Sequence, residues 1–167
     1  MKEKMLPNLF YKISFLFLIF FQSFIDIKVQ KTYEINYFEN GHVKSHGWKD
    51  NGKKVEYWKY YYPTGILKSE GHYINNIKNK YWFYYETNGK KTKEGHYING
   101  KKENWWSFYN NQGKLSSKCQ YIQDKKNGYC IIYLNEKPIK ALYFENDIKT
   151  NEWKDFFSFK KDNPVLF

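Results

Sequence analysis

The sequence contains no arginine: all 28 of its basic residues are lysine, and the formal net charge is +11. Arginine makes the bidentate contacts that recognise guanine and phosphate, and lysine does not reproduce that geometry. A nucleic acid is therefore a disfavoured partner, although lysines interleaved with aromatic rings can bind one by phosphate contact and base stacking. We expect many lysines, such as Lys53-Lys54, Lys101-Lys102 and Lys125-Lys126, to lie on solvated turns, where they keep an exposed sheet soluble.

Cysteine is scarce, with only Cys119 and Cys130 present. In an exported chain two cysteines could pair. If residues 123–128 form a turn, however, Cys130 faces Tyr121 and lies diagonal to Cys119. Because diagonal neighbours in a sheet are further apart than a disulfide normally allows, we expect two unbonded thiols that fill core positions.

Aliphatic residues are sparse after the first segment, and no stretch beyond residue 30 has a sustained helical period. Any core must therefore consist mainly of tyrosine, tryptophan and phenylalanine, which make up 22% of the chain. Such residues favour pleated strands. These absences predict an all-β protein with an aromatic core.

The sequence also lacks a recognisable set of catalytic or metal-binding residues. His72 and His96 occupy one position of a repeat and would lie about 10 Å apart, whereas zinc ligands converge to about 2.0–2.2 Å from one ion. Glu70 and Glu94 are similarly separated and cannot share acid–base work. We predict no catalytic residue, no metal site, no cofactor and no enzymatic activity.

The strongest positive signal is a 24-residue repeat. The segment GHYINNIKNKYWFYYETNGKKTKE at residues 71–94 is followed without a gap by GHYINGKKENWWSFYNNQGKLSSK at residues 95–118. A fixed period of this length indicates a repeat architecture. Three series keep the interval: Gly47, Gly71 and Gly95; Trp58, Trp82 and Trp106; and Tyr61, Tyr85, Tyr109 and Tyr133. Cys119 and Cys130 take the next places in the first two series, after which the interval slips, and we count five units in all.

Each unit carries two turn signals, of which Asn51-Gly52, Asn99-Gly100 and Asn88-Gly89 are the clearest. Asn-Gly between aromatic runs favours a hairpin because its central residues must accept a positive φ. The sequence therefore predicts an elongated antiparallel β-meander of stacked hairpin repeats, with about ten strands in a single twisted sheet. The Trp58 and Tyr61 series are three residues apart, so either both faces carry aromatic residues or a bulge brings the two ladders to one side.

The N-terminal residues differ from the rest of the chain. Lys2, Lys4 and Lys12 precede the apolar run ISFLFLIFF at residues 13–21, a pattern typical of a secretory signal peptide. The run is short for a bilayer-spanning helix, which needs ~20 apolar residues. We predict a signal peptide over residues 1–25, or alternatively an uncleaved N-terminal anchor, then a repeat domain over residues 33–160 and a C-terminal tail over residues 161–167.

The repeat resembles a known family. The segment from Gly95 to Lys101 (GHYINGK), with the pair Trp105-Trp106, Tyr109 and Gly113-Lys114 after it, is similar to the MORN repeat in its bacterial variant form. The resemblance covers about residues 33–160. It departs at one position, where the glycine that usually precedes the aromatic pair is retained only as Gly128; the other units have Glu56, Lys80 and Asn104. The resemblance implies a non-catalytic β-sheet that serves as a binding or scaffolding surface.

We therefore expect an exported repeat protein, periplasmic, envelope-associated or secreted, that binds a protein partner at the cell envelope. Because many bacterial variants of the family are labelled as antitoxins, an intracellular antitoxin-like partner of a toxin is one alternative. A surface for anionic lipid or acidic polysaccharide is another. The candidate binding surface is one of two aromatic ladders, Trp58, Trp82 and Trp106 or Tyr61, Tyr85 and Tyr109, and a ladder that is buried would serve packing instead.

Overall fold

The computed structural model describes residues 31–164, which form one antiparallel sheet of eleven strands followed by a short helix. Every strand pairs with the strand before it in the sequence. The strands are β1 Lys31–Tyr37, β2 Val43–Asp50, β3 Lys53–Tyr61, β4 Leu67–Ile74, β5 Ile77–Tyr85, β6 Lys91–Ile98, β7 Lys101–Tyr109, β8 Leu115–Ile122, β9 Lys125–Leu134, β10 Lys137–Glu145 and β11 Ile148–Trp153, and the helix is α1, Phe156–Asp162. The all-β meander in a single sheet is confirmed, with eleven strands where about ten are predicted.

The signal peptide or anchor predicted at residues 1–25 lies outside the described residues. Within residues 31–164, no helix combines the length and the apolar character needed to cross a bilayer.

The C-terminal helix is not visible in the sequence pattern. Asp155 caps the N-terminus of the helix by accepting a hydrogen bond from the backbone N–H of Ser158 (2.8 Å). Phe159 is the buried residue of the helix. Strand structure thus ends at Trp153, before the predicted end of the repeat domain at residue 160. A helix of seven residues makes only two turns, which is too short to show a helical period.

The turns alternate between two kinds, as the sequence predicts. Two-residue turns such as Asn51-Gly52 and Asn99-Gly100 have positive φ at both positions, which matches the twist of the flanking strands. The turns at the other margin span five residues, and each places a glycine at positive φ, as Gly41 and Gly89 do. Here the backbone N–H of Gly89 donates to the carbonyl of Glu86 (2.9 Å).

Consecutive repeats are joined by backbone bonds as well as by the sheet ladder. The N–H of Asn76 donates to the carbonyl of Lys54 (3.0 Å), and the side-chain oxygen of Asn76 accepts from the N–H of Lys54 (2.7 Å). Asp124 makes the same pair of bonds to Lys102. The two-residue turns at residues 75–76, 99–100, 123–124 and 146–147 are each held by such a bond to the unit before them, so the repeats stabilise one another in a row.

Four repeats carry a bulge at the position of Glu56, Lys80, Asn104 and Gly128. Gly71 faces Trp82 whereas the next residue of β4, His72, faces Asn79, so Lys80 and Tyr81 are extra residues on β5. The equivalent first extra residues, Glu56, Lys80 and Asn104, have φ near +60°, and Gly128 has φ +106°. These positions require a left-handed backbone, which glycine adopts without strain.

Replacing Lys80 by glycine is therefore expected to stabilise the protein. The left-handed backbone costs a lysine about 1–2 kcal/mol, and the greater unfolded-state entropy of glycine offsets about 0.5–1 kcal/mol of the gain. Lys80→Gly should raise the free energy of unfolding by about 0.5–1 kcal/mol in urea titrations. Asn104→Gly is the matched control with a smaller expected gain, because asparagine tolerates this backbone region. A loss of stability in Lys80→Gly would contradict the account.

The last repeat changes register by one residue. The five-residue turn that the earlier repeats have at this margin is replaced after β9 by the two-residue turn Asn135-Glu136, and Cys130 faces Leu142. Trp153 instead pairs with Ala141, and Ala141 pairs with Ile131. The side chains of these three residues lie on the face of the sheet opposite to that of Cys130. A one-residue slip moves side chains to the other face, so Trp153 packs against Phe159 of α1, with ring centroids 5.2 Å apart, rather than extending the Trp58 series.

Candidate functional site

The two aromatic ladders lie on opposite faces of the sheet. Trp58, Trp82 and Trp106 lie on one face, here called the Trp face, and Tyr61, Tyr85 and Tyr109 lie on the other, the Tyr face. All three tryptophans have no exposed surface, whereas the three tyrosines are half-buried. The tryptophan ladder is therefore the core of the protein and has no surface left to offer a ligand.

Each tryptophan ring lies flat on a glycine of a neighbouring strand. A Cβ added to Gly71 would lie 2.4 Å from the ring of Trp82, and Gly95 stands in the same relation to Trp106. The indole N–H of Trp82 donates to the carbonyl of His72 (3.0 Å), at the point where the bulge shifts the ladder. The glycine series of the repeat is thus the floor on which the tryptophan series packs.

Tyrosine rings fill the spaces between the tryptophans. Tyr60 is inclined by 27° to Trp58 and by 28° to Trp82, and Tyr84 continues the row to Trp106 at 36°. Tyr73 meets Trp82 edge-on, with ring centroids 5.1 Å apart. Offset and edge-to-face contacts of this kind stabilise aromatic pairs beyond their burial. The Trp face is consequently covered by rings in contact, some moderately inclined to the tryptophans and others edge-on to them.

A row of lysines lies on this aromatic surface. The ammonium of Lys78 is 4.4 Å from the ring centroid of Trp82 and donates to the hydroxyl of Tyr84 (2.8 Å). Lys54, Lys102 and Lys126 repeat the position at 24-residue intervals, each over at least one aromatic ring. Burial lowers the pKa of Lys54, Lys78 and Lys102. Lys54, Lys102 and Lys126, expected on solvated turns, instead make cation–π contacts on the Trp face. The 24-residue spacing that they share with Lys78 is the signal that could have found the row.

Cys119 and Cys130 form a disulfide, so the expectation of two free thiols is wrong. The two residues are directly paired across β8 and β9, with Cα atoms 3.9 Å apart. The predicted diagonal arrangement assumes a turn over residues 123–128, whereas the turn is only Gln123-Asp124 and the bulge at Gly128 shifts the register between Cys119 and Tyr121. The disulfide therefore replaces the glycine–tryptophan pair of the other repeats.

The Tyr face carries polar partners for the tyrosine ladder. The hydroxyl of Tyr85 donates to Glu70 (2.9 Å), Tyr109 bonds Glu94 in the same way, and Tyr61 bonds His46 (3.0 Å). Burial, followed by the bond to the carboxylate, raises the pKa of Tyr85 and of Tyr109. Each of these three tyrosines thus binds one residue of a second row, formed by His46, Glu70 and Glu94, and its ring remains partly exposed to solvent.

The histidines do not converge on one point. The rings of His72 and His96 each meet a tyrosine edge-on, Tyr57 and Tyr81 respectively, with centroids 4.8 Å apart. Among residues 31–164, no three histidine, cysteine, aspartate or glutamate side chains cluster closely enough to hold a metal ion.

Several shallow grooves mark the surface of the N-terminal repeats. One, of about 670 Å³, has a mixed lining that includes Tyr33, His46, Trp48, Glu56 and Lys59. Another, of about 380 Å³, lies on the Trp face, and we call it the lysine groove after Lys44, Lys68 and Lys78, which line it together with Phe38, Tyr60 and Tyr84. The charged residues that line the lysine groove are all lysines, whereas the first groove is lined by both signs of charge.

The tyrosines of the Trp face make stability sensitive to alkali. Burial, followed by the hydrogen bond between hydroxyls, raises the pKa of Tyr60 and Tyr84 above the unfolded value of 10, and burial raises the pKa of Tyr57 on the other face to about 12. A group whose folded-state pKa is raised contributes stability that is complete below its unfolded pKa and lost as the pH rises through the folded value. The pKa values of the lysine row are lowered, so these lysines make the stability rise with pH instead. They are fewer than the tyrosines whose pKa is raised.

We therefore expect the free energy of unfolding to fall above about pH 10, by at most ~1.4 kcal/mol per pH unit for each tyrosine that ionises only when unfolded. Denaturant titrations with phenolate absorbance as the readout would measure this slope. Tyr84→Phe should flatten it, since Phe108 occupies the same repeat position in the next unit. An unchanged slope in that variant would contradict the assignment.

Comparison with known proteins supplies no family. No protein-family model matches the chain, and no curated protein is significantly similar to it. The solved structure of accessory secretory proteins 1, 2 and 3 from Streptococcus pneumoniae matches with a TM-score of 0.35 and 12% identity over 84% of this chain and 25% of that chain. A GtfA/B complex bound to UDP and GlcNAc matches with a TM-score of 0.25 and 11% identity over 78% of this chain and 26% of that chain.

This chain spans about a quarter of the length of those two chains, and similarity at these TM-scores carries no argument about function. The class of protein is defined by the fold and its surface. The chain is an all-β repeat protein of stacked β-hairpins with two chemically different faces.

Proposed function

We propose that this chain is a MORN-like repeat protein that is exported and acts as a non-catalytic binding or scaffolding module at the cell envelope. The observation that carries the proposal is the single-layer sheet: helix α1 lies beside only the last strands, so along β1–β8 both faces present periodic side chains to solvent. Stacked repeats of this kind form extended surfaces that suit binding.

Two observations support export. The basic and apolar pattern of residues 1–25 is typical of a secretory signal peptide. The disulfide between Cys119 and Cys130 belongs to an oxidising compartment, because cytoplasmic thiols are kept reduced. The disulfide weighs against an antitoxin-like role, since an antitoxin acts on its partner in the cytoplasm.

The experiment that tests the proposal is cell fractionation followed by N-terminal sequencing of the isolated protein. We expect a mature chain that begins after about residue 25, found in the envelope or outside the cell, whose thiols react with maleimide only after reduction and denaturation. A Cys119→Ser/Cys130→Ser variant is the labelling control. Full-length protein in the cytoplasm with freely reactive thiols would overturn the proposal.

A further inference from the structure

We propose that the lysine groove of the Trp face binds an acidic polysaccharide whose carboxylates contact Lys44, Lys68 and Lys78 and whose sugar rings lie on Tyr60 and Tyr84. The inference rests on the proposed function, because it assumes a binding module that meets envelope or extracellular polymers, and it names the chemical class of ligand.

Within the part of the chain that the structure describes, no acidic residue compensates the charge of the groove. Among residues 31–164, none of the ion pairs involves Lys44, Lys68 or Lys78, and no carboxylate lines the groove. Like charges crowd this surface, because the ammonium groups of Lys78 and Lys93 both lie over the ring of Tyr84, at 5.1 and 4.9 Å from its centroid. Burial, then the neighbouring Lys93 and Lys54, lowers the pKa of Lys78 accordingly. An anionic partner relieves that crowding.

The opposite face is arranged differently. Its lysines Lys59 and Lys91 are paired with Glu70 (3.6 Å) and Glu94 (2.7 Å). The two faces come from the same repeat, yet among residues 31–164 no ion pair involves Lys54, Lys78 or Lys102 of the Trp face. Charge complementarity therefore assigns an acidic ligand to the Trp face.

The shape of the groove favours a polysaccharide over a folded protein or a peptide. The rings of Tyr60 and Tyr84 are inclined by 27° to Trp58 and by 30° to Trp82, respectively, and form a platform for the apolar faces of sugar rings. The ammonium groups of Lys54, Lys78 and Lys93 lie over these rings, and a sugar that stacks there would turn them towards its carboxylates. Beside the platform, the hydroxyls of Tyr60 and Tyr73 (3.0 Å apart) and of Tyr84 and Tyr97 (2.9 Å apart) offer hydrogen-bonding groups to sugar hydroxyls.

The spacing of the lysines along the Trp face also matches the spacing of charges along a polymer. Lys54, Lys78 and Lys102 occupy equivalent positions two strands apart, a spacing of about 10 Å. A linear polysaccharide with one carboxylate in each disaccharide repeats its charge at a comparable interval. The absence of arginine disfavours a phosphodiester ligand, because lysine contacts anions as a point charge without the bidentate fork.

The test uses the mature full chain and hyaluronate oligomers, which carry one carboxylate per disaccharide, with the neutral methyl ester of the same oligomers as the matched probe. The test variant is Lys44→Gln/Lys68→Gln, which removes two exposed charges from the groove. The control variant Lys53→Gln/Lys101→Gln removes the same net charge from exposed positions beside the two-residue turns. Thermal unfolding checks that both variants fold.

We expect calorimetry to show hyaluronate binding that weakens with salt, a loss of about tenfold or more in Lys44→Gln/Lys68→Gln, and less than about a twofold change in the control variant. The methyl ester should bind about tenfold more weakly or not at all. Equal losses in the two variants, equal binding of the neutral ester, or no binding of hyaluronate would overturn the inference. Tighter binding of anionic vesicles or of single-stranded DNA than of hyaluronate would also overturn it.

The two proposals fail separately. A processed protein in the envelope that does not bind hyaluronate leaves the proposed function intact and removes only the polysaccharide. An unprocessed cytoplasmic protein overturns the proposed function whatever it binds in solution.

Discussion

Replacing Trp106 with alanine is expected to lower the free energy of unfolding by about 3–5 kcal/mol. Trp106 has no exposed surface, and its ring contacts Tyr84, Tyr97 and Tyr121. Its indole N–H also donates to the carbonyl of His96 (3.0 Å), which would lose that partner at the cost of a further ~1–3 kcal/mol wherever water cannot reach it.

The adjacent Trp105 is the matched control. It lies on the Tyr face, is only partly buried and has the ammonium of Lys118 5.4 Å from its ring centroid. Trp105→Ala should therefore cost less than about 1.5 kcal/mol in the same urea titrations. Similar losses in the two variants would show that the Trp face is not the core.

Replacing Gly71 with alanine is expected to destabilise the protein by about 3 kcal/mol, at the upper end of the usual cost of overpacking. The added Cβ would lie 2.4–2.5 Å from three ring atoms of Trp82. Trp82 cannot move away easily, because Tyr60, Tyr73 and Tyr84 surround its ring and Lys78 lies over it. A wild-type-like stability for Gly71→Ala would mean that the ring does not lie on the glycine.

The native disulfide suggests a second measurement at the Gly71–Trp82 pair. Cys119 and Cys130 occupy the glycine and tryptophan positions of their repeat, with the same separation of 11 residues as Gly71 and Trp82. Gly71→Cys/Trp82→Cys should recover about 2–3 kcal/mol relative to the sum of the single variants, through a second cross-strand disulfide. Reduction should abolish the recovery, and coupling that persists under reducing conditions would contradict this explanation.

The local features of the fold follow from the sequence because they depend on neighbouring residues. The 24-residue period sets the length of a hairpin, and residues such as Asn51, Gly52 and Gly89 place its turns where the backbone must have positive φ. Strands joined by turns this short pair with their predecessors. The all-β class, the single meander and the aromatic composition of the core were therefore all predictable.

The disulfide and the helix were not predictable because they depend on register and on contacts across the sheet. The bulge falls on glutamate, lysine and asparagine in three repeats, so Glu56, Lys80 and Asn104 give no local signal of their left-handed backbone. Counting along a regular ladder from a turn at residues 123–128 placed Cys130 opposite Tyr121, whereas a two-residue turn followed by the bulge places it opposite Cys119. Likewise Phe159 is buried only because the register slip brings Trp153 and Tyr129 beneath it.

For the candidate site, the sequence determined which residues repeat, and the tertiary structure decided what each row does. Trp58, Trp82 and Trp106 are buried over glycines, whereas Tyr61, Tyr85 and Tyr109 remain half-exposed on the opposite face. The row of Lys54, Lys78 and Lys102 was visible as a period, but only the packed sheet places its ammonium groups over aromatic rings. Periodicity records which positions are equivalent, whereas burial and charge environment depend on the residues that the register brings together from other strands.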